Sequence, residues 1–452
     1  MSSRSFQRLA LWDSHDRPLF LSGADVRDPL TGREERQDLW IVNGRITFRK
    51  PEGTTPVAFD LTGAVLFPRL IDVHVHLREP GFEEAETVAT GALAAVKGGF
   101  SAVCCMPNTN PPLDDAATIR FVLEQAARAG GATVYPFACI TRGRKGEALA
   151  DMFELAEAGA RGFSDDGSPV MNAELMRRAL EYSTMLDLPI VAHEEDSHLA
   201  AHGCVHESSV ATRVGLKGIP REAEDVMVAR DIALVRLTGG RLHICHVSSK
   251  HTVDLVRQAK AEGLPVTAEV TPHHLVLTHE RVATYDTNFK MNPPLREESD
   301  RQALLEGLLD GTLDCIATDH APHTAIAKQV EFDRAPMGVT GLETALSICL
   351  TDLVKPGIVP LDTVLRALGP HPSALLKEPW TPIQEGSAAD LVAVDLKRTW
   401  TVGQDGFASK SSNSSFLGRE LNGVTLLTLV DGRVAWSDPS VVPTNRPAVR
   451  VS

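Results

Sequence analysis

The stretch VLFPRLIDVHVHLREPG, residues 65–81, decides the fold. Its apolar, β-branched run reads as a strand buried on both faces, the kind found in parallel sheets covered by helices. On a strand, residues two apart share a face, so His74 and His76 point together from its C-terminal end. Two imidazoles presented in this way suit a single divalent ion.

Seven further short apolar runs follow: SAVCCMPN (101–108), TVYPFACI (133–140), ARGFSDDG (160–167), LPIVAHEED (188–196), RLHICHVSS (241–249), LPVTAEVTPHH (264–274) and LDCIATDHAPH (313–323). Helical stretches separate most of them, such as 86–99, 116–131, 147–160, 173–186, 224–240, 252–263 and 300–311, and many close on glycine. Glycine there is the residue expected just past a helix end. Eight strand–helix alternations predict an α/β fold, a (β/α)8 TIM barrel. His74, His76, Asn108, Asp166, His193, His246, His273 and Asp319 all fall at or just past the C-terminal ends of the runs, the catalytic face of such a barrel.

The chain ends have another texture. Residues 1–66 carry short strand-like runs (LFLSGADV, LWIVNGRITF, VAFDLTGAVLF) broken by Gly, Asp, Asn and Pro, and the pattern returns from 384 in ADLVAVDLK, TLLTLVDG and GRVAWS. Neither end is long enough for a comfortable core of its own. The expectation is one β-rich module built from 1–66 and 384–452, with the barrel at 67–383 inserted between.

With 452 residues, 43% hydrophobic and 23% charged, the composition is that of an ordinary globular enzyme. A net charge of −14 without a basic tract argues against nucleic-acid and membrane-surface partners. The N-terminal twenty residues lack the apolar core and cleavage site of a signal peptide, and no apolar run is long enough to span a bilayer. The seven cysteines are odd in number and form no CxxC pair; they read as reduced core residues of a cytoplasmic protein, without a metal role.

His193, His246 and Asp319 each close a run and are candidates to join His74 and His76 around a metal. A pair of divalent ions needs a bridging anion. The fourth run contains no lysine that CO2 could carboxylate, so a carboxylate must bridge. Strand alternation sends Asp165 and Asp166 to opposite faces; spacing alone does not choose between them. His273-His274 reads as a supporting pair and His320 as an orienting residue. His198, His202 and His206 read as surface residues of a polar loop.

Taken in order, DVHVHLREPG, MPNT, GFSDDG, AHEED, CHVS, TAEVTPHHL, KMNPPLR and ATDHAPH resemble bacterial class I dihydroorotases, over about residues 60–345. The resemblance implies two Zn2+ ions per subunit, bridged by Asp166 and a hydroxide. His74, His76 and Asp319 would bind one ion and His193 and His246 the other. It implies Asp319 as the catalytic proton carrier, and His76, Arg78, Asn108, Asn292, His323 and the backbone of Met337 and Gly338 as substrate contacts. The implied reaction is the reversible cyclisation of N-carbamoyl-L-aspartate to L-dihydroorotate plus water, in pyrimidine biosynthesis. The resemblance admits a homodimer and a complex with aspartate transcarbamoylase. Hydantoinase-like and allantoinase-like enzymes share the HxH start and late Asp, but their usual bridge is a carboxylated lysine; Arg78 with Asp166 favours dihydroorotase. A non-catalytic scaffold would have lost ligands, and all six candidates are present.

Overall fold

The computed structural model describes residues 12–444. The reading of the N-terminus as lacking a leader falls largely on residues 1–11, outside the described residues, as does the end of the expected C-terminal module from 445.

The middle of the chain forms parallel pairings in sequence order. Strands Ile71–Val75, Ala102–Cys105 and Thr133–Pro136 make one three-stranded sheet, and Ile190–Ala192, Leu242–Ile244, Val266–Val270 and Cys315–Ile316 a four-stranded one. The fourth run departs from expectation. GFSDDG is no strand; Phe163 alone bridges to Ala138 on one side and to Ile190 on the other. The run turns immediately afterwards, because the Asp165 and Asp166 backbone is held by side chains and not by neighbouring strands. After the last strand, His320 bridges back in parallel to Val75 of the first.

Apolar residues of these strands alternate between two cores, as the period of two requires. Ile71, Val73, Ala102, Cys104, Phe137, Val191, Cys245 and Cys315 pack together, with Leu375 and Leu376 beside them. Val103 and Cys105 face the other way, into the layer shared with the helices, and Val75 joins them because the pairing register shifts between Asp72 and Val75. Each fully buried aliphatic side chain contributes roughly 1.5–3 kcal/mol. All seven cysteines are buried and free.

Helices Val88–Gly98, Ala116–Ala129, Met152–Glu157, Ala173–Leu186, Glu222–Thr238, Lys250–Ala261 and Glu298–Asp310 fill the intervals. Thr87 and Asp115 cap the first two by accepting from backbone N–H groups of the first turn, and Gly99 and Gly130 end them in the left-handed region. Among the described residues no helix is long and apolar enough to cross a membrane.

The chain ends do come together. Leu391–Thr401 pairs antiparallel with Val65–Pro68, joining a six-stranded sheet drawn from both termini. A four-stranded sheet packs with it through Leu19, Leu21, Ile41, Phe59, Leu391 and Leu427. The run that began the sequence reading is thus split: Val65–Pro68 lies in this terminal sheet and only Ile71–Val75 in the central one. Pro68 cannot donate a ladder hydrogen bond, and the chain changes sheets just after it.

Candidate metal centre

His74 and His76 leave the first central strand on one face, as the alternation predicts. His76 Nε2 lies 2.9 Å and His74 Nε2 3.5 Å from Asp319 Oδ1. Across the same space, Asp166 Oδ1 lies 3.5 Å from His74 Nε2, 3.7 Å from His193 Nδ1 and 3.6 Å from His246 Nε2, while its Oδ2 lies 3.5 Å from His76 Nε2. All six candidates from the sequence are therefore together and buried. They fall into two groups with metal-ligand spacing, His74–His76–Asp319 and Asp166–His193–His246. Cys245, given no metal role from sequence, stands near His74 and Asp166, but burial and Glu269 keep its thiol well above the usual value and so protonated.

Asp165 and Asp166 do face opposite ways. Asp165 accepts from the N–H groups of Ile140 (2.9 Å) and Thr141 (3.1 Å) and from the Thr141 hydroxyl, and so secures a loop. The Asp166 backbone is fixed by Ser164 Oγ, which accepts from its N–H, and by Arg144, which donates to its carbonyl at 2.5 Å. Only the Asp166 side chain reaches the histidines.

The donor set fits divalent ions. His74 Nε2, Asp166 Oδ1 and His246 Nδ1 are buried without a hydrogen-bond partner among the described residues. Such orphans are costly unless something else occupies their lone pairs. Burial raises Asp166, but His74 and His246 outweigh it and hold its carboxyl well below the usual range, so it is anionic. Burial likewise opposes Asp319, whose hydrogen bond to His76 keeps it ionised. Nitrogen and carboxylate ligands of this kind suit zinc and also manganese, cobalt or iron.

One supporting residue escaped the sequence reading. Glu269 is fully buried; its Oε1 lies 2.6 Å from His74 Nδ1 and accepts from the His246 N–H at 3.2 Å, and its Oε2 lies 3.1 Å from His243 Nε2. It fixes the His74 ring so that Nε2 points at Asp166. Burial pushes His74 down, but Glu269 and Asp166 overcome it and hold the imidazole well above its ordinary value. His320 orients its neighbours as expected: its carbonyl accepts the His76 N–H at 2.8 Å and its Nε2 meets Glu86 at 3.3 Å.

The expected substrate contacts ring the same mouth. Asn108 Oδ1 lies 2.8 Å from His76 Nδ1, and Asn292 Nδ2 3.4 Å from His193 Nε2. Arg78 is partly buried, donates to the Pro322 carbonyl and feels the charges of Asp319 and Asp166. It does not reach this place along an extended chain, as the sequence suggested; its φ is +63°, so the backbone turns after His76. His246 and Asp319 also have positive φ, of +33° and +48°. Non-glycine residues held there concentrate at functional sites. His323 lies 2.8 Å from the Met337 carbonyl, and burial next to Arg78 lowers it to about 3, so it is neutral. The Gly338 N–H donates to Lys290 O.

A second feature hidden from sequence is the segment Ala408–Asn413, which leaves the terminal sheet and reaches the mouth. Asn413 accepts from the His323 N–H and donates to Ala321 and Gly338 carbonyls, while Ser409 and the Lys410 N–H meet Glu86. His206 corrects the surface reading. It is buried, with Nδ1 3.2 Å from the Arg296 guanidinium, because the loop folds its apolar residues Cys204 and Val205 inward; His198 and His202 are exposed as expected. His274 is a structural residue bonded to Thr271 and Pro293, whereas His273 Nε2 is unpartnered among the described residues.

A dihydro-orotase-like family model matches residues 63–252. The dihydroorotase of Pelotomaculum thermopropionicum is 50% identical over 93% of this chain and 99% of its own length. That of Desulforapulum autotrophicum is 46% identical over 92% and 98%. Among solved structures, the L-hydantoinase of Arthrobacter aurescens superposes with a TM-score of 0.81 at 22% identity, covering 94% of this chain and 97% of that one. The dihydropyrimidinase of Brevibacillus agri gives 0.79 at 20%, covering 94% and 96%.

Proposed function

The chain belongs to the dihydroorotase family, and from that premise we propose that it interconverts N-carbamoyl-L-aspartate and L-dihydroorotate, as a metal-dependent hydrolase of a cyclic amide. The observation that carries the reading is Asp166, whose two carboxylate oxygens lie within 3.5–3.7 Å of four imidazoles. His74, His76 and Asp319 would hold one ion and His193 and His246 the other, with Asp166 between them; zinc is the ion we expect. When bound, such ions supply Lewis acidity, which acidifies water to a pKa of about 7 and polarises an amide carbonyl.

The chain's own residues do the rest. Asp319, anionic and next to His76, accepts the proton of the attacking water and returns it to the departing ring nitrogen. In the cyclising direction it takes that proton from the carbamoyl nitrogen. Arg78 offers a permanently charged planar fork to the substrate carboxylate, with Asn108, Asn292 and neutral His323 completing its hydrogen bonds. The Met337–Gly338 backbone forms one wall. A carboxylated-lysine site of the hydantoinase type has no lysine to use in GFSDDG.

The same reading closes the eight parallel runs into a (β/α)8 barrel, residues 67–383, carried by a β-rich module from 1–66 and 384–452. The return bridge from His320 to Val75 and the fold likeness support it. It also places the protein in the cytoplasm, where its small-molecule substrate would be made. The deciding experiment compares ring opening of dihydroorotate, hydantoin and allantoin by the metal-loaded protein. Preferential turnover of dihydroorotate is expected; preference for an uncharged ring would overturn the assignment.

A further inference from the structure

Two lysines are buried beside the mouth of the site. Lys290 is 4% exposed and Lys328 6%, and among the described residues neither forms an ion pair. An ammonium without a carboxylate is expensive to bury, so its remaining contacts must be worth the cost. Lys328 Nζ donates to three backbone carbonyls: Gly338 at 2.9 Å, Pro336 at 3.0 Å and Lys290 at 3.4 Å. These carbonyls come from two segments far apart in sequence, and both border the substrate wall.

Residues 324–338 contain one four-residue helix, Ala325–Lys328, and the segment turns Ile326 and Val330 outward, at 82% and 43% exposure. Its apolar anchors are Phe332, buried with Cys204, Val205 and Val282, Ala335, and the partly buried Met337, while the backbone carbonyls of 336–338 are held by polar contacts. Gly338 sits at φ +117°, where a Cβ would lie 2.6 Å from Ala321 Cβ and 3.2 Å from His323 Nε2, so the backbone is pressed against the strand end that carries His323. The Gly338 carbonyl is also held by Asn413 at 3.2 Å, its N–H by Lys290 O at 3.0 Å, and the Met337 carbonyl by His323 at 2.8 Å.

We infer that Lys328 is a positioning residue for substrate: its ammonium gathers the carbonyls of Lys290, Pro336 and Gly338 and so holds the Met337–Gly338 backbone against His323. Burial beside Lys290, opposed by Asp286, draws the Lys328 ammonium down to about 7. The inference rests on the reading that His323, Met337 and Gly338 meet the substrate.

The test compares wild type, Lys328→Met and Lys328→Cys, the last before and after aminoethylation, which restores an ammonium at lysine length. In the metal-loaded enzyme, Lys328→Met should raise KM for dihydroorotate about tenfold while kcat changes by less than about threefold, with metal content unchanged. Amide exchange across 334–340 should be roughly tenfold faster in the free protein. Aminoethylation should restore both. If Lys328→Met does not fold, Lys328→Gln, which keeps N–H donors but no charge, takes its place. Unchanged exchange, a loss confined to kcat, or failure of aminoethylation to restore KM would overturn the inference. A wild-type protein inert towards dihydroorotate would instead overturn the functional reading, and the exchange measurement would still judge the clamp.

Discussion

Two adjacent aspartates should fail in opposite ways. Asp165→Ala removes the acceptor of three hydrogen bonds and leaves the Ile140 and Thr141 N–H groups buried without a partner. Each such orphan costs about 1–3 kcal/mol, so the variant should lose about 2–6 kcal/mol of stability. Its metal should stay, because no Asp165 oxygen faces a histidine. Asp166→Ala should do the reverse. Its backbone contacts to Ser164 and Arg144 survive the substitution, so the fold is held. The lost carboxylate is the one group that lies near all four imidazoles, and metal affinity should fall at least about 100-fold, more than for a supporting residue. Measuring metal content after dialysis against a chelator at fixed free zinc, alongside denaturant unfolding, separates the two. Metal stripped from Asp165→Ala but kept by Asp166→Ala would refute the bridge assignment.

Three further outcomes are expected. Arg78→Met should cost about 2–5 kcal/mol in transition-state binding of dihydroorotate and carbamoyl-aspartate, read as kcat/KM, while slow turnover of an uncharged cyclic imide persists; equal losses on both substrate types would mean that Arg78 holds the fold and does not read the carboxylate. Glu269→Gln, which keeps the shape but removes the charge behind His74, should weaken metal binding about 10–100-fold by competition titration; unchanged affinity would deny Glu269 its orienting role. Burial beside Arg296 lowers His206 to about 3, below its ordinary value, so the unfolded chain takes up a proton there that the fold refuses. Stability from this site is therefore complete above pH 6.5 and falls as pH drops towards 3, by about 2 kcal/mol at pH 5. Denaturant titrations of the metal-free protein should show a slope between pH 6.5 and 5 that is shallower in His206→Asn, and an equal slope in the variant would assign the acid sensitivity elsewhere.

The candidate ligands are legible because each sits at the end of an apolar run, where strand alternation and the common direction of parallel strands fix where a side chain points without knowledge of its neighbours. That logic stops where the chain stops being a strand. Arg78 arrives at the mouth on a left-handed turn, where strand alternation does not apply. The choice between Asp165 and Asp166 needed the family resemblance, since only the partners of each, Thr141 for one and the histidines for the other, tell them apart. By sequence alone Glu269 is one more residue of a buried strand. Its meaning lies in the neighbouring strand, where His243 stands opposite Thr267 and so brings the imidazole within reach of the carboxylate two residues on.

Least legible was the part played by the far end of the chain. SKSSN, residues 409–413, has the composition of a solvated loop, and nothing in its spacing points inward. Yet Ser409 is buried against Glu86, and Glu86 also meets His320, whose carbonyl holds the His76 N–H. Asn413 joins His323 to the Gly338 carbonyl. The anchor for this segment is the antiparallel pairing of Leu391–Thr401 with Val65–Pro68, three residues before the strand that carries His74 and His76. The terminal sheet thus begins beside the strand that leads to His74 and His76, and returns to the mouth where that strand ends. The pairing of the two chain ends therefore fixes one wall of the site, which is a physical reason for their union beyond the shared core that composition alone required.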